Sequence, residues 1–269
     1  MIHYKTHRPD SMWSTLELAE SLGWVDENIE PWTPEAADAT EASAEDWLKA
    51  HDYLILPMEG DALRIADLYC GAGGAGMGLH RAGFDVVGFD INRQPDYPFE
   101  FHRTDALGVD LSGFDAVWAS PPCQAYTRKS ATWGRARVND IQHADLVEPT
   151  RKLLVDSGLP YVIENVVGAP LDASLMLCGT MFGLRLIKHR IFESNISLGM
   201  SPAACDHSDV YNPWQGKGRN AEKFREAQGT PWIPSPGGAS RKAGYTGDLS
   251  NAIPPAYSEY LGDMLSDAC

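Results

Sequence analysis

The stretch SPPCQAYTRKS, residues 120–130, mounts one thiol, Cys123, directly after two prolines. Proline fixes φ and restricts the residue before it, so this cysteine is held on a stiff loop. Inert cysteines more often lie inside apolar runs, as small hydrophobes. Here Gln124, Thr127, Arg128 and Lys129 follow, surroundings that favour thiolate and can contact phosphate. Cys123 therefore reads as a nucleophile rather than a structural thiol. Glu164, in YVIENV, is the second candidate. A carboxylate at a strand end binds ligands or moves protons, although an isolated one equally caps a helix.

The cluster GAGGAG, from Gly71 through Gly73 to Gly76, satisfies G-x-G-x-x-G, and Asp90 follows 19 residues after Gly71. By itself the pattern serves NAD or any other adenosine cofactor, including S-adenosylmethionine, with the acid on ribose hydroxyls. Asp105, in RTDA, adds a carboxylate that can accept from an adenine amino group, although a lone Asp there is more often a turn or cap residue. With Asp67 and Asp90 it completes a row of acids suited to ribose and adenine. A thiolate beside a protonated carboxyl suits attack on an electrophilic ring whose nitrogen must be protonated. Cytosine is such a ring. Thiolate adds at C6, the carboxyl protonates N3, and C5 becomes carbanion-like and takes a methyl group from a sulfonium.

Elements that alternate in type must position these groups. LRIADLYC, FDVVGFDI, FEFHRTD, FDAVWAS, PYVIENV and KHRIFES read as six strands. A short helix follows the glycine cluster, and residues 140–157 read as a helix kinked at Pro149. Strand–helix alternation over this length predicts a doubly wound, mostly parallel α/β sheet, whose ligands sit at the carboxyl ends of strands. The five polar clusters DLYCGAGG, GFDIN, RTDA, ASPPCQ and IENV all fall at such ends. Residues 195–248 break the pattern and are rich in Gly, Pro and Trp, with one helical patch at NAEKFREAQG.

Composition bounds the rest. The chain has 269 residues and a net charge of −15, which argues against indiscriminate polyanion binding. Residues 1–60 carry −10 of that charge, and two short helices are expected there, near STLELAESLGW and AEDWLKAHDYL. No apolar run is long enough to span a membrane, the N-terminus has no signal-peptide pattern, and five scattered cysteines suit reduced thiols in a cytoplasm. Cys205 and His207 stand close in sequence, but two ligands are too few for a metal, so a loop is expected and no metal.

Taken in order, ADLYCGAGGAGMGL, GFDIN, SPPCQAYT, YVIENV, KHRIF and SNAIPP resemble the motif series of the DNA (cytosine-5) methyltransferases, particularly the compact enzymes of phages. The resemblance covers roughly residues 64–193 and 220–262. It implies a Rossmann-like, S-adenosylmethionine-dependent methyltransferase fold. Cys123 would be the nucleophile, Glu164 the N3 proton donor and Arg190 a contact to the ring. Asp67, Tyr69, Gly71, Gly73, Asp90, Asp105 and Asn251 would line the cofactor site. Gln124, Thr127 and Lys188 would meet the substrate, Lys188 standing where the family's motif carries its first basic residue. The bland reading of the Lys188–Arg190 pair is a charged strand edge.

The resemblance also sets the expected organisation. An acidic extension spans 1–62, a catalytic domain 63–194, a reduced target-recognition segment 195–244, and a C-terminal helix returns to the catalytic domain over 245–269. The segment SNISLGMSPAACDHSDVYNPWQGKG is short for target recognition, with Trp214, Lys217 and Arg219 as possible contacts to nucleic acid. The expected activity is C5 methylation of cytosine in DNA, of a base flipped out or already single-stranded, by a monomer in a restriction–modification or phage setting. An RNA or free pyrimidine nucleotide as substrate is the first alternative. A non-catalytic S-adenosylmethionine-binding regulator is the second, and an NAD oxidoreductase ranks last.

Overall fold

The structure, a computed structural model, describes residues 4–6, 55–57, 62–126, 145–172, 174–210, 221–233 and 249–269. The helices expected within 1–60, residues Thr127, Arg128 and Lys129, and Trp214, Lys217 and Arg219 lie outside them.

In chain order the strands are β1 (Tyr4–Thr6), β2 (Ile55–Pro57), β3 (Arg64–Leu68), β4 (Asp85–Asp90), β5 (Glu100–Arg103), β6 (Ala116–Ala119), β7 (Tyr161–Asn165), β8 (Leu175–Leu177) and β9 (Arg190–Ser194). The helices are α1 (Gly74–Arg81), α2 (Val147–Ser157), α3 (Ala221–Gln228) and α4 (Pro255–Ser266). Seven strands form one sheet in the order β5-β4-β3-β6-β7-β9-β8. The β5-β4-β3-β6-β7 pairings are parallel, and β9 and β8 add to the β7 edge antiparallel.

Central strands buried on both faces need apolar residues throughout, which β6 and β7 supply almost without interruption. Alternate residues then serve opposite faces. Ile65, Val86, Trp118, Val162 and Phe192 pack with Leu79 of α1 and Tyr257, Leu261 and Leu265 of α4. Ala66, Leu68, Val87, Val117 and Ile163 pack with Leu154 of α2. Helices thus cover both faces, the doubly wound arrangement expected from the sequence. The chain leaves β3 for β4 on one side and later returns to pair β6 on the other. That reversal opens a crevice above the carboxyl ends of β3 and β6.

Several boundaries differ from the sequence reading. Helix α2 starts at Val147, with Pro149 in its first turn. There the missing N–H costs nothing, so the expected kink does not form. Strand β8 went unread because three residues within SLMLCG carry no measurable alternation. Within residues 1–60, β1 and β2 pair antiparallel, and β1 lies beside α1. Helix α4 packs along α1, where Ser258 Oγ donates to the Ala75 carbonyl at 2.7 Å. No helix of the described residues is long and apolar enough to cross a membrane.

Candidate active site

The crevice is a cleft of about 260 Å³, walled by the turn after β3, the end of β4, the Pro121-Pro122-Cys123 loop after β6, the end of β7, Arg190 and residues 251–253. At the turn, Tyr69 has φ 60°, a left-handed conformation that a bulky residue adopts only under constraint. Three bonds impose it. The Cys70 amide donates to the Phe89 carbonyl at 3.2 Å, the Ser120 amide to the Leu68 carbonyl at 3.1 Å, and the Tyr69 hydroxyl pairs with Thr150 Oγ1 at 2.8 Å. Gly73 caps α1 at φ 81°, which its lack of Cβ permits. A Cβ on Gly74 would lie 2.4 Å from the Ile253 carbonyl oxygen, so that glycine lets the C-terminal segment close the cleft.

Asp67 is fully buried at the floor. Its Oδ2 accepts from the Tyr97 hydroxyl at 3.0 Å, and its Oδ1 has no hydrogen-bond partner. Burial pushes its carboxyl up to about 7, against the Tyr97 bond and with help from the Asp90 charge. Asp90 accepts from the Gly71 amide at 3.3 Å and the Asn92 amide at 2.8 Å, which leaves one lone pair per oxygen for a ligand.

Across the cleft, Glu164 is buried, and the Arg190 Nε stands 2.8 Å from its Oε1. Burial raises the Glu164 pKa, while Arg190, Ser120 and Lys188 pull it down without overcoming the rise. A proton is thus held on Glu164 more readily than on a free glutamate. Cys123 shares this cleft, half-buried. Burial also raises its thiol pKa, opposed by the Arg190 and Lys188 charges. Arg128 and Lys129, on which the expectation of a thiolate rested, lie outside the described residues. The loop is fastened from below, where Asn165 Nδ2 donates to the Pro121 carbonyl at 3.0 Å. On its far side, Tyr126 hydrogen-bonds Asp145 ahead of α2.

The other sequence candidates divide. Tyr69, Gly71, Gln124 and Asn251 line the cleft. Gly73 shapes it from behind. Asp105 caps a short 3-10 turn, accepting from the Leu107 amide at 3.0 Å, and is not among the cleft-lining residues. Lys188 is buried, and its ammonium donates to Gln228 Oε1 at 2.7 Å, to the Ser250 carbonyl at 3.0 Å and to the Ala252 carbonyl. It fastens the C-terminal segment and is not among the residues that line the cleft. Sequence reasoning gave no role to Ser120 or Asn165. Their only signal was position, Ser120 within ASPPCQ and Asn165 within IENV at predicted strand ends.

No family model matches the chain. A curated relative, the type II methyltransferase M.AgeI of Thalassovita gelatinovora, is 29% identical over 125 residues, covering 39% of this chain and 28% of that protein. The match therefore spans little more than a quarter of the relative's length. The Entamoeba histolytica methyltransferase EhMeth superposes with a TM-score of 0.52 at 11% identity, over 78% of this chain and 99% of EhMeth. The fold is that of a methyltransferase. Schizosaccharomyces pombe Dnmt2 methyltransferase aligns over 77% of this chain and 99% of its own, at 15% identity and a TM-score of 0.48. The chain shares a Rossmann-like methyltransferase fold.

Proposed function

We propose that this chain methylates C5 of cytosine in DNA, with S-adenosylmethionine as methyl donor. One observation carries the reading: a stiffly mounted thiol shares a cleft with a buried, proton-retaining glutamate that is ion-paired to Arg190. The half of the cleft around the glycine turn fits the donor. The partnerless Asp67 Oδ1 suits a cationic or N–H group, and Asp90 keeps acceptor capacity for ribose hydroxyls. When bound there, S-adenosylmethionine supplies an electrophilic methyl group on a sulfonium.

The chain's own groups do the rest. Cys123 gives its proton to solvent and its sulfur forms a bond to C6 of the ring. The C5–C6 π electrons move to C5 as Glu164 donates a proton to N3. Arg190, ion-paired to Glu164 in the cleft, would hold the ring and keep the carboxyl oriented. After C5 has gained its methyl group, the C5 proton passes to solvent, the Cys123 sulfur departs with the C6–S bonding pair, and the N3 proton returns to the Glu164 carboxylate, which restores the neutral aromatic ring. A base in a duplex is out of reach of such a cleft, so the target is flipped out or single-stranded. M.AgeI is a type II methyltransferase, which supports a role in restriction–modification.

The test is methyl transfer from labelled S-adenosylmethionine to duplex DNA, single-stranded DNA, RNA and cytidine nucleotides in parallel. DNA labelling at C5, with a covalent adduct trapped by DNA containing 5-fluorocytosine, is the expected result. Fluorine at C5 cannot leave as a proton, so the final elimination stalls. Labelling of RNA or nucleotide alone reassigns the substrate, and C5 methylation of DNA without an adduct excludes the covalent route.

A further inference from the structure

A second polar cluster lies at the sheet edge away from the cleft. Cys178 directly follows β8 and is buried, and His189 directly precedes β9. Cys205 and His207 lie on the segment that leaves β9, within residues 195–210. One donor atom from each, two sulfurs and two ring nitrogens, lies within 4.8 Å of every other. We propose that Cys178, His189, Cys205 and His207 bind one tetrahedral zinc ion, which clips the segment after β9 to the sheet beside Arg190.

The spacing is that of a coordination shell. Tetrahedral zinc with its usual bond lengths places sulfur and nitrogen ligands about 3.6 Å apart. Cys178 Sγ lies 3.6 Å from His207 Nε2, and His189 Nε2 lies 3.4 Å from Cys205 Sγ. The Cys205 and His207 donors, at 2.7 Å, would have to separate for an ion to enter between them. The two imidazole rings stand 5.2 Å apart at 66°, so their nitrogens approach one point without stacking.

The chemistry agrees. Two thiolates and two neutral imidazoles select zinc over hard cations such as magnesium or calcium, and two thiolates cancel the charge of a divalent ion. Thr180 Oγ1 stands 3.4 Å from Cys178 Sγ, to which it donates, and 3.7 Å from Cys205 Sγ. It is the outer hydrogen bond that thiolate ligands need.

The site has a consequence for the cleft. His189 adjoins Arg190, and Arg190 Nη1 donates to the His189 carbonyl at 2.9 Å. An ion that holds His189 therefore fixes the backbone from which Arg190 reaches Glu164.

Elemental analysis of the full-length protein, purified under reducing conditions without chelator, tests the site with no recourse to activity. About one zinc per chain is expected. Cys205→Ser and His207→Ala should each remove it, while Thr180→Val should weaken binding by roughly 10–100-fold. Cobalt(II) added to the stripped wild type should give the intense visible absorption of a tetrahedral thiolate–imidazole set. That measurement stands even if a ligand variant fails to fold. A protein that takes up neither metal, or retains zinc when Cys205 and His207 are both replaced, overturns the assignment. So does a Cys178–Cys205 disulfide in the metal-free protein under those conditions.

Discussion

Arg190 and His189 are neighbours in the chain and serve two different clusters. Arg190 enters the cleft and pairs with Glu164, whereas His189 meets Cys205 at the sheet edge. Successive residues entering a strand point to opposite sides, so one backbone step separates proposed catalysis from proposed metal binding. The cysteines show what each environment does. Burial drives the Cys123 thiol up in the cleft, while hydroxyl, amide and imidazole partners bring the Cys178 thiol down at the edge.

The same substitution at two places gives the largest contrast. Cys123→Ser should abolish methyl transfer, by more than about 10⁴-fold, while zinc content and cofactor affinity stay at wild-type levels. Cys205→Ser should do the reverse in order of events: metal is lost first, and activity falls only as far as the β9 segment loosens. Kinetics and elemental analysis on the same two preparations decide it. Loss of metal in the Cys123 variant would merge the two clusters into one unit.

Next in size is Glu164→Gln, which keeps the shape and removes the proton. A drop of about 10²–10⁴-fold in kcat is expected for a lost acid–base catalyst. Wild-type melting behaviour and unchanged zinc would place that loss in chemistry. Activity within a few-fold of wild type would move the proton donor elsewhere.

The cleft was largely legible in the sequence and the edge cluster was not, for a physical reason. Cys123, Glu164 and Asp90 stand in contiguous stretches at the ends of parallel strands of one sheet, and strand ends can be read from apolar runs. Cys178 sits in the apolar LMLC run, where a thiol reads as a small hydrophobe, and His189 lies inside the predicted strand KHRIFES, where nothing singles it out. Only the antiparallel turn-back of β9 onto β8 brings them to Cys205 and His207. Two of the candidates, Asp105 and Lys188, are not among the residues that line the cleft. Asp105 stands at a strand end, yet its side chain is used by its own 3-10 turn. Lys188 matches a motif position, yet the C-terminal segment takes its ammonium.

Within the cleft, Asp67 should set a pH dependence of stability. Its carboxyl keeps a proton up to about 7 in the folded state, against an ordinary value of 3.8. Between those limits the folded state binds more protons than the unfolded one, so stability falls as pH rises from near 4 to near 7. The decline is on the order of 4 kcal/mol at most. Asp67→Asn should flatten it, as read from urea midpoints across that range. An unchanged slope would assign the dependence to other groups.

The smallest effect concerns the acidic extension, whose charge of −10 faces a proposed polyanionic substrate. Two accounts compete. If the extension folds over the DNA-binding face, its removal should tighten DNA binding at low salt, and the two proteins should converge at high salt, where repulsion is screened. If it is a packing and solubilising module, affinity should hold within about two-fold at every salt concentration, because the phosphate contacts are untouched. We favour the second account. Strand β1 lies beside α1 and pairs with β2, so both ends of the extension are tied into a ribbon on the catalytic fold. Deleting residues 1–60 removes both strands and exposes the flank of α1, so a lower unfolding midpoint is expected together with unchanged DNA affinity. Titrations of the truncated and full-length chains across a salt series measure the affinity, and thermal melts of the same samples measure the packing. Tighter binding confined to low salt would overturn the packing account and make the extension a competitor for DNA.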